Sequence, residues 1–352
     1  MTTIVILGAG VMGSAMCLPA CDRGHNVRLV GTHLDRDIID SVRINGRHPK
    51  LNVTLPDGIK GFYADEFGTA LASGTDLVVL GVSSAGVNWA IDRLCESLKA
   101  PTPVVMITKG MHPDGTRLTA LPDYVAAEVK RRTGMELVMA AIGGPCIAGE
   151  LAVRRHTGTV MTSHDLEFAR KLCAIFETDY YHPRTSADVI GVEICAAFKN
   201  FFAISVGWAA GFLEKMTATE NRAFNHNATA IIFDEAIREL MVLAKAHGGT
   251  EHSVWGMPGA GDLYVTCQAG RNSRLGNNLG RGLTYQQTKD GPMKGDTIEG
   301  AELGIAVAST LRGMMSNGAL DAAELPLTNA LLNALTQDSP LDIPWASLHQ
   351  PN

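Results

Sequence analysis

An apolar run that ends in closely spaced glycines opens the chain and strongly limits how its first part can fold. Residues Thr3–Leu7 form a short apolar run, and Gly8, Gly10 and Gly13 follow it in a Gly-x-Gly-x-x-Gly pattern. A strand that turns at glycines into a helix is the usual start of a doubly wound, mostly parallel sheet. There the first glycine permits the tight turn, the second lets a pyrophosphate approach the backbone, and the third lets helix and strand pack closely.

The cofactor that this loop predicts is NAD or NADP. The N terminus of the first helix would add free N–H groups and a partial positive charge for the phosphates. The next strand, Asn26–Val30, ends without the Asp or Glu that usually binds the ribose 2′-hydroxyl of NAD. Asp35 comes later, and Arg36 beside it would meet a 2′-phosphate, so we expect NADPH to bind at least comparably to NADH. The predicted cofactor-binding residues here are Gly8, Ala9, Gly10, Val11, Met12, Gly13, His33 and Arg36.

Short apolar segments alternate with helical patterns up to about residue 182, and long helical patterns dominate after about residue 187. Several short segments are continuous Val, Ile and Leu runs, which are typical of parallel strands covered on both faces. We therefore predict an α/β Rossmann domain over residues 1–185 and an all-α catalytic domain over residues 186–352. The predicted strands are 3–7, 26–30, 76–82, 104–108, 137–142, 159–163 and 179–181, and the predicted helices of the second domain are 187–212, 227–247, 262–279 and 298–317.

Charge, cysteine content and hydropathy argue against several classes of protein. The net charge of −6 provides no general basic surface for nucleic acid or an anionic membrane. Seven cysteines without a Cys-x-x-Cys pair indicate a reducing compartment, and no metal-ligand set is evident among the 11 histidines. The most apolar long stretch, 196–212, is too short to span a membrane. A first strand at residue 3 leaves no room for a signal peptide, so we expect a cytoplasmic protein.

Two segments of the second half resemble the NAD(P)-dependent glycerol-3-phosphate dehydrogenase family. Residues 191–200 read Gly-Val-Glu-Ile-Cys-Ala-Ala-Phe-Lys-Asn, which is similar to the family's Val-Glu-x-x-x-Ala-x-Lys-Asn segment. Residues 261–272 read Gly-Asp-Leu-Tyr-Val-Thr-Cys-Gln-Ala-Gly-Arg-Asn, which is similar to its Asp-Leu-x-x-Thr-Cys run ending in Arg-Asn. The resemblance covers almost the whole chain, because shorter matches follow in family order at residues 108–110, 144–145, 188–191, 299–300 and 325–327.

The resemblance implies hydride transfer between NAD(P)H and a small phosphorylated ketone, first of all dihydroxyacetone phosphate, and it implies a homodimer. The reaction needs a group that gives or takes the hydroxyl proton, and a lysine can do both where desolvation lowers its pKa. By resemblance Lys199 has that role and Lys109 polarises the substrate oxygen. Asp262 and Thr266, four residues apart on one helix face, would orient Lys199. The resemblance also assigns Asn200, Arg271 and Asn272 to the substrate and Ser83 and Glu299 to the cofactor.

Each of these residues also has an ordinary structural interpretation. Lys199, flanked by phenylalanines, would otherwise be a snorkelling surface lysine, Asp262 a helix N-cap, and Glu299 a first-turn acid favoured by the helix dipole. The presence of Lys109, Lys199, Asp262 and Thr266 together argues against a non-catalytic nucleotide-binding regulator, which would need none of them. Because we expect the Lys199 ammonium to be buried and unpaired, we also expect a Lys199→Met variant to keep its fold.

Departures from the family pattern keep a second class of substrate open. Residues 81–84 read Gly-Val-Ser-Ser where the family has Val-Pro-Ser, and residues 143–146 read Gly-Gly-Pro-Cys in place of Ser-Gly-Pro. The helix start at 225–234 also differs, and the loop at 214–224 is longer than expected. These changes fall where the non-phosphorylated end of the substrate would lie, so a longer polyol or sugar phosphate, or a 3-hydroxy acid, is the alternative.

Overall fold

The computed structural model describes residues 1–72, 74–216 and 223–348, and the chain forms two compact units. The N-terminal unit comprises residues 1–109 and 120–189, and the helical unit comprises residues 110–119 and those from 190 onward. Residues 217–222, which belong to the predicted long loop at 214–224, lie outside the described part of the chain.

A mostly parallel sheet forms the centre of the N-terminal unit. The described strands of the chain are β1 Thr3–Leu7, β2 Asn26–Val30, β3 Arg47–His48, β4 Val53–Thr54, β5 Lys60–Phe62, β6 Leu77–Leu80, β7 Val104–Met106, β8 Met111–Pro113, β9 Leu118–Ala120, β10 Met139–Gly143, β11 Thr157–Thr162 and β12 Tyr181–Ser186. Eight of these described strands form one sheet in the order β12-β11-β10-β7-β6-β1-β2-β5, in which only the β10–β11 pair is antiparallel. This confirms the predicted doubly wound Rossmann sheet, whose strand order reverses next to β1.

Helices cover both faces of this sheet, which explains why its central strands are apolar throughout. They are α1 Val11–Asp22, α2 Arg36–Asn45, α3 Phe67–Ala72, α4 Val87–Ser97, α5 Leu121–Thr133, α6 Ala148–Ala152 and α7 Leu166–Phe176. In β1, Ile4 and Ile6 belong to one apolar core, together with residues of α1, α2 and α7. Val5 and Leu7 belong to the opposite core, together with residues of α3, α4 and α5. A strand buried on both faces has no polar face, so it shows no alternation.

Helices make up most of the described part of the helical unit. They are α8 Val189–Lys215, α9 His226–Ala246, α10 Glu251–Trp255, α11 Asp262–Gln268, α12 Arg271–Gly280, α13 Tyr285–Asp290, α14 Glu299–Ser316 and α15 Pro326–Thr336. Helix α8 is apolar and long enough to cross a membrane, but 94% of its most apolar 18-residue window is buried inside the fold. Its phenylalanines Phe198, Phe201 and Phe202 are fully buried in a core shared with the other helices. Burial of this kind identifies α8 as the central core helix of a soluble fold.

Glycines allow α8 and α12 to approach each other to backbone contact. A Cβ atom built at Gly207 or Gly211 of α8 would lie 2.4 and 1.8 Å from the carbonyl oxygens of Ser273 and Asn277, respectively. A Cβ atom at Gly276 of α12 would lie 1.9 Å from the Ile204 carbonyl oxygen. The glycines therefore recur at four-residue spacing on both helices, since Gly280 meets the backbone of α8 in the same way. No larger residue fits this crossing without moving one helix.

The observed elements differ from the predicted ones in two informative places. The predicted helix over 262–279 is interrupted after α11, because Ala269 is extended and Gly270 has a φ of +123°. The apolar spacing continues across the break, so it concealed the interruption. The predicted strand at 179–181 is wrong in extent, since β12 runs over Tyr181–Ser186. Most side chains of β12 are partly or fully exposed on the edge of the sheet, so the strand has no apolar run to reveal it.

The glycine contact predicts that Gly276→Ala will be destabilising. The added methyl group would overlap the Ile204 carbonyl, and overpacking of this kind costs about 1–3 kcal/mol of unfolding free energy, or more where backbone must move. Urea denaturation would measure the effect. Gly313→Ala is the matched control, because Gly313 lies on α14, is exposed and has no atom within 4 Å of an added Cβ. That control should gain up to about 1 kcal/mol. Equal stability of the two variants would contradict the described crossing.

Candidate functional site

The glycine loop of the N-terminal unit has the geometry of a dinucleotide cradle. Gly8 has a φ of +118°, and a Cβ there would lie 2.6 Å from the backbone of Gly81 after β6. A Cβ at Gly13 would lie 2.1 Å from the Gly8 carbonyl oxygen, so this glycine permits α1 to pack on the loop. Gly10, in contrast, has no atom within 4 Å of an added Cβ. The loop is closed on its inner side and open at Gly10, where a pyrophosphate would approach the helix N terminus.

The segment after β2 places a cation where a ribose would follow the pyrophosphate. Asp35 is buried, and its Oδ2 accepts hydrogen bonds from Thr32 N at 2.9 Å and Thr32 Oγ1 at 2.7 Å, so this carboxylate stabilises the turn. Arg36 is exposed, and its guanidinium lies 4.7 Å from the centre of the Tyr63 ring. His33, also exposed, has an edge-on ring contact with Trp89. Asp35 is therefore committed to Thr32, whereas the guanidinium of Arg36 is exposed to solvent.

Two further predicted residues of the N-terminal unit lie at the carboxyl ends of its strands. Ser83 follows β6 and is exposed at the start of a 3-10 turn. Lys109 follows β7 and is partly buried at the edge of a small cavity that Met12 and Cys146 also line. Ligands of doubly wound sheets bind at this edge. The fold thus brings Lys109, Ser83 and the glycine loop to the same edge of the sheet.

Lys199 and Asp262 form a buried ion pair in the helical unit. The Lys199 ammonium donates to Asp262 Oδ1, and the side chains are only 7% and 2% exposed. Helix α8 supplies the lysine from a stretch of phenylalanines, and the first residue of α11 supplies the carboxylate. Asp262 does not cap α11 through its side chain, because Gly261 occupies the N-cap position. The expectation of an unpaired Lys199 ammonium is wrong, since burial of this charge is offset by Asp262.

Thr266 and Cys267 lie one turn further along α11. Thr266 Oγ1 donates to the Asp262 carbonyl oxygen at 2.7 Å, which places the two residues on the same helix face as predicted. Burial raises the pKa of the Cys267 thiol to about 12, so this cysteine stays protonated beside the charge of Lys199. The thiol is therefore neutral, and Lys199 stays the predicted proton-transfer group near this face.

A hydrogen-bond network joins the remaining predicted residues of the helical unit. Asn200 Nδ2 donates to Glu299 Oε2 at 3.1 Å, and Asn200 Oδ1 accepts from Asn272 Nδ2 at 3.1 Å. Asn272 Oδ1 in turn accepts from the backbone nitrogen of Gly300 at 2.9 Å. Arg271, which is about half exposed, lies 3.6 Å from Glu299 through its Nη2 atom. Three helices, α8, α12 and α14, thus present two amides, a guanidinium and a carboxylate in one connected group.

The arrangement can hold an anionic substrate next to a proton donor. A planar guanidinium such as that of Arg271 matches two phosphate oxygens, and a neighbouring amide adds a neutral donor. Arg274, one turn along α12, lies 3.4 Å from Asp296. Glu299 faces Asn200 and Arg271 here. Its resemblance-based assignment to the cofactor stays a prediction, as do the other assigned roles.

Two side chains that contact the predicted cofactor-binding residues carry no signal in the sequence. Tyr63 carries the guanidiniums of Arg36 and Arg43 near its ring, at 4.7 and 4.0 Å from the ring centre. His48 is buried and contacts the Ala9 carbonyl oxygen of the glycine loop. Neither residue belongs to a recognisable motif, and both lie on short segments between α2 and α3.

Comparison with known proteins gives a consistent result for both units. The family model described as NAD-dependent glycerol-3-phosphate dehydrogenase N-terminus matches residues 3–169, and the corresponding C-terminus model matches residues 188–344. A protein named NADP(+)-dependent glycerol-3-phosphate dehydrogenase from Archaeoglobus fulgidus is 34% identical over 290 residues, which cover 82% of each chain. A glycerol-3-phosphate dehydrogenase [NAD(P)+] from Bacillus pumilus is 28% identical over 97% of this chain and 92% of its own.

Solved structures agree with these sequence relatives. The crystal structure of glycerol-3-phosphate dehydrogenase from Coxiella burnetii superposes with a TM-score of 0.79 at 25% identity, covering 99% of this chain and 98% of the other. The yeast enzyme structure gives a TM-score of 0.80 at 18% identity and 99% coverage of both chains, which demonstrates the shared fold.

The buried ion pair predicts that Lys199→Met will be strongly destabilising. Removal of the ammonium leaves the Asp262 carboxylate buried without its cation, which costs about 3–5 kcal/mol of unfolding free energy. The double variant Lys199→Met/Asp262→Asn should recover most of this loss, and urea denaturation would measure both. Lys245→Met is the control, because the Lys245–Glu251 pair is exposed and should be worth less than about 1 kcal/mol. A single Lys199→Met variant as stable as the parent would contradict the pairing.

Proposed function

Because the chain belongs to the NAD-dependent glycerol-3-phosphate dehydrogenase family, we propose that it transfers a hydride reversibly between NAD(P)H and dihydroxyacetone phosphate, forming sn-glycerol 3-phosphate. The observation that carries this proposal is the composition of the helical unit. It holds a buried lysine–aspartate pair for proton transfer and, on neighbouring residues of α8 and α12, the amides and guanidinium that suit a phosphate.

The N-terminal unit supplies the cofactor site in this proposal. Gly8 and Gly13 permit the tight loop, and the open approach at Gly10 fits a pyrophosphate at the N terminus of α1. The nicotinamide of a bound dinucleotide donates or accepts the hydride. We assign this task to residues 1–185 and the substrate chemistry to residues 186–352, the division that the sequence predicts.

Lys199 holds and moves the proton. In ketone reduction its ammonium gives a proton to the substrate oxygen as hydride reaches the carbon, and in alcohol oxidation its amine takes the proton back. Asp262 fixes the direction of the Nζ atom and offsets the cost of its burial, and Thr266 supports the same helix face through the Asp262 carbonyl. By family resemblance Lys109 polarises the substrate oxygen. These roles follow the family resemblance and agree with the contacts within each unit.

The phosphate of the substrate binds Arg271 and Asn272. Arg271 is half exposed and its present partner, Glu299, is 3.6 Å away, so its guanidinium is available for a phosphate dianion. Asn272 donates a hydrogen bond to Asn200 and accepts one from the Gly300 backbone, and these two bonds hold its amide in place. The network therefore defines one end of the substrate, while Lys199 acts on its carbon–oxygen group.

The cofactor is NAD or NADP, and we propose that NADPH binds at least as well as NADH. Asp35, the first acid after β2, is occupied by Thr32, so it offers no free carboxylate to a 2′-hydroxyl. Arg36 is exposed and its guanidinium lies near the Tyr63 ring, in a position that suits a 2′-phosphate. The Archaeoglobus fulgidus relative is named NADP(+)-dependent, which agrees with this choice.

A longer polyol phosphate is the second candidate substrate. The start of α9, residues 225–234, departs from the family pattern in the region expected to face the non-phosphorylated end. We also infer a cytoplasmic homodimer. The seven cysteines are all free thiols, which agrees with a reducing compartment, and the dimer follows from the family resemblance.

The mechanism predicts a contrast between two variants in an assay that follows NADPH oxidation with dihydroxyacetone phosphate. Lys199→Met/Asp262→Asn should lose about 10²- to 10⁴-fold in kcat, because the acid–base group is gone while the core stays uncharged. Arg271→Ala should instead raise the KM for the phosphate substrate about 10- to 150-fold, since a hydrogen bond to a charged group is lost. A normal kcat in the double variant would remove Lys199 from the chemistry. If the parent turned over only longer polyol phosphates, dihydroxyacetone phosphate would not be its substrate.

The cofactor site predicts that Arg36→Ala will weaken NADPH binding selectively. Fluorescence titration should show NADPH affinity falling about tenfold or more, because a charge-assisted contact to the 2′-phosphate is lost. NADH affinity should change less than about threefold. Arg23→Ala provides a control, since Arg23 is an exposed cation in the same unit at the C terminus of α1. Equal losses for both cofactors, or a hundredfold preference of the parent for NADH, would show that Arg36 does not bind a 2′-phosphate.

A further inference from the structure

His48 of β3 is a fully buried histidine whose two ring nitrogens contact different parts of the N-terminal unit. Nε2 lies 3.0 Å from the Ala9 carbonyl oxygen in the glycine loop, and Nδ1 lies 3.0 Å from the backbone nitrogen of Leu51. A backbone N–H group can only donate, so Nδ1 must accept from Leu51. Nε2 therefore carries the proton and donates it to Ala9. The contacts themselves determine the tautomer.

The surroundings of His48 favour this neutral form. Burial lowers the pKa of its imidazole and outweighs the hydrogen bond to the Ala9 carbonyl, which raises it; the nearby cation Lys50 also lowers this pKa, and the carboxylate of Asp35 raises it. At neutral pH the ring is therefore uncharged. Its one N–H donor bonds to Ala9, and its one acceptor nitrogen bonds to Leu51. The Ala9 carbonyl also accepts from Ser14 Oγ at 3.2 Å, so two side chains hold this one oxygen.

The direction of the Ala9 carbonyl determines the direction of the next N–H group. A trans peptide is planar, so the carbonyl oxygen of Ala9 and the N–H of Gly10 point to opposite sides. With the oxygen held inward by His48, the Gly10 N–H points outward. Gly10 is also the glycine of the loop that has no atom within 4 Å of an added Cβ. An N–H group that faces an open approach at a helix N terminus is suited to a phosphate oxygen.

We propose that His48 is a positioning residue for the dinucleotide, which aims the Gly10 N–H at the cofactor pyrophosphate by holding the Ala9 carbonyl inward. This inference rests on the proposed dinucleotide-dependent function. It adds a residue that the glycine pattern does not contain and that the chain supplies from the segment between α2 and β5. His48 does not touch the reacting atoms, so its effect should lie in dinucleotide affinity and not in the hydride-transfer step.

Two substitutions separate the two contacts of the ring. Glutamine places an amide nitrogen near the position of Nε2, so His48→Gln keeps a donor for Ala9. Asparagine places an amide oxygen near the position of Nδ1, so His48→Asn keeps the acceptor for Leu51 and loses the bond to Ala9. We expect His48→Asn to weaken NADPH binding about 5- to 100-fold, because the Ala9 carbonyl loses the donor that holds it inward and keeps only the longer contact from Ser14 Oγ. His48→Gln should stay within about threefold of the parent, and kcat at saturating NADPH should change less than about twofold in both.

His25 provides a matched control in the same unit. Its Nδ1 accepts from the Thr2 backbone nitrogen at 3.2 Å, and its Nε2 lies 3.1 Å from the Ile175 carbonyl oxygen, at the amino end of β2. His25→Asn thus makes the same chemical change away from the loop. It should lower the melting temperature without altering the NADPH dissociation constant, and circular dichroism would verify that all variants are folded.

Fluorescence titration of NADPH against the parent and the three variants decides the proposal. Weak binding by His48→Asn alone supports it. Parent-like binding by His48→Asn overturns it, as does weak binding by His48→Gln, which would mean that the ring shape or the Leu51 contact matters instead. An equal loss in His25→Asn overturns it as well, because the effect would then be one of general stability. Failure of the parent to bind either dinucleotide would contradict the proposed function itself, which distinguishes that failure from the others.

Discussion

The close crossing of α8 and α12 is the constraint on which the helical unit depends. Glycines on both helices bring one backbone against the other, with no side chain between them. This contact sets Asn272, at the start of α12, within 3.1 Å of Asn200 on α8. A crossing at the usual separation of 8–10 Å would leave these short amides out of reach. The proposed phosphate-binding end of α12 and the lysine of α8 therefore lie close together because small residues line the contact between their helices.

Charge in this unit is divided between a buried and an exposed pair. Lys199 and Asp262 are almost fully buried, so each needs the other to offset its desolvation, and the amine stays where water is excluded. Arg271 and Glu299 are about half exposed and 3.6 Å apart, so water screens their attraction and the guanidinium can exchange partners. A proton-transfer group benefits from the first environment, and a group that must bind and release a charged ligand benefits from the second.

The N-terminal unit relies on the backbone more than on side chains. Its loop combines a glycine with positive φ, a glycine that admits α1 and a glycine with an open approach, and each property depends on the lack of a Cβ. Side chains stabilise the segments around the loop: Asp35 accepts hydrogen bonds in the turn after β2, and the Tyr63 ring contacts the guanidinium of Arg36. Such supports tolerate replacement by other residues with the same contacts, so they have no fixed sequence pattern.

The sequence by itself determined the fold class and the central strands, and it indicated the candidate site residues. Some signals are local and can be recognised in the sequence alone. They are the continuous apolar runs, the glycines at fixed spacing, and the Lys-Asn and Arg-Asn segments. It could not reveal the edge strand β12, whose side chains are mostly exposed, or the break at Gly270, across which the apolar spacing continues. Only the tertiary structure decided that Lys199 is paired, that Glu299 meets Asn200, and that His48 reaches Ala9. These contacts join residues 39 to 99 positions apart, and their geometry depends on how helices and loops pack, which no local pattern encodes.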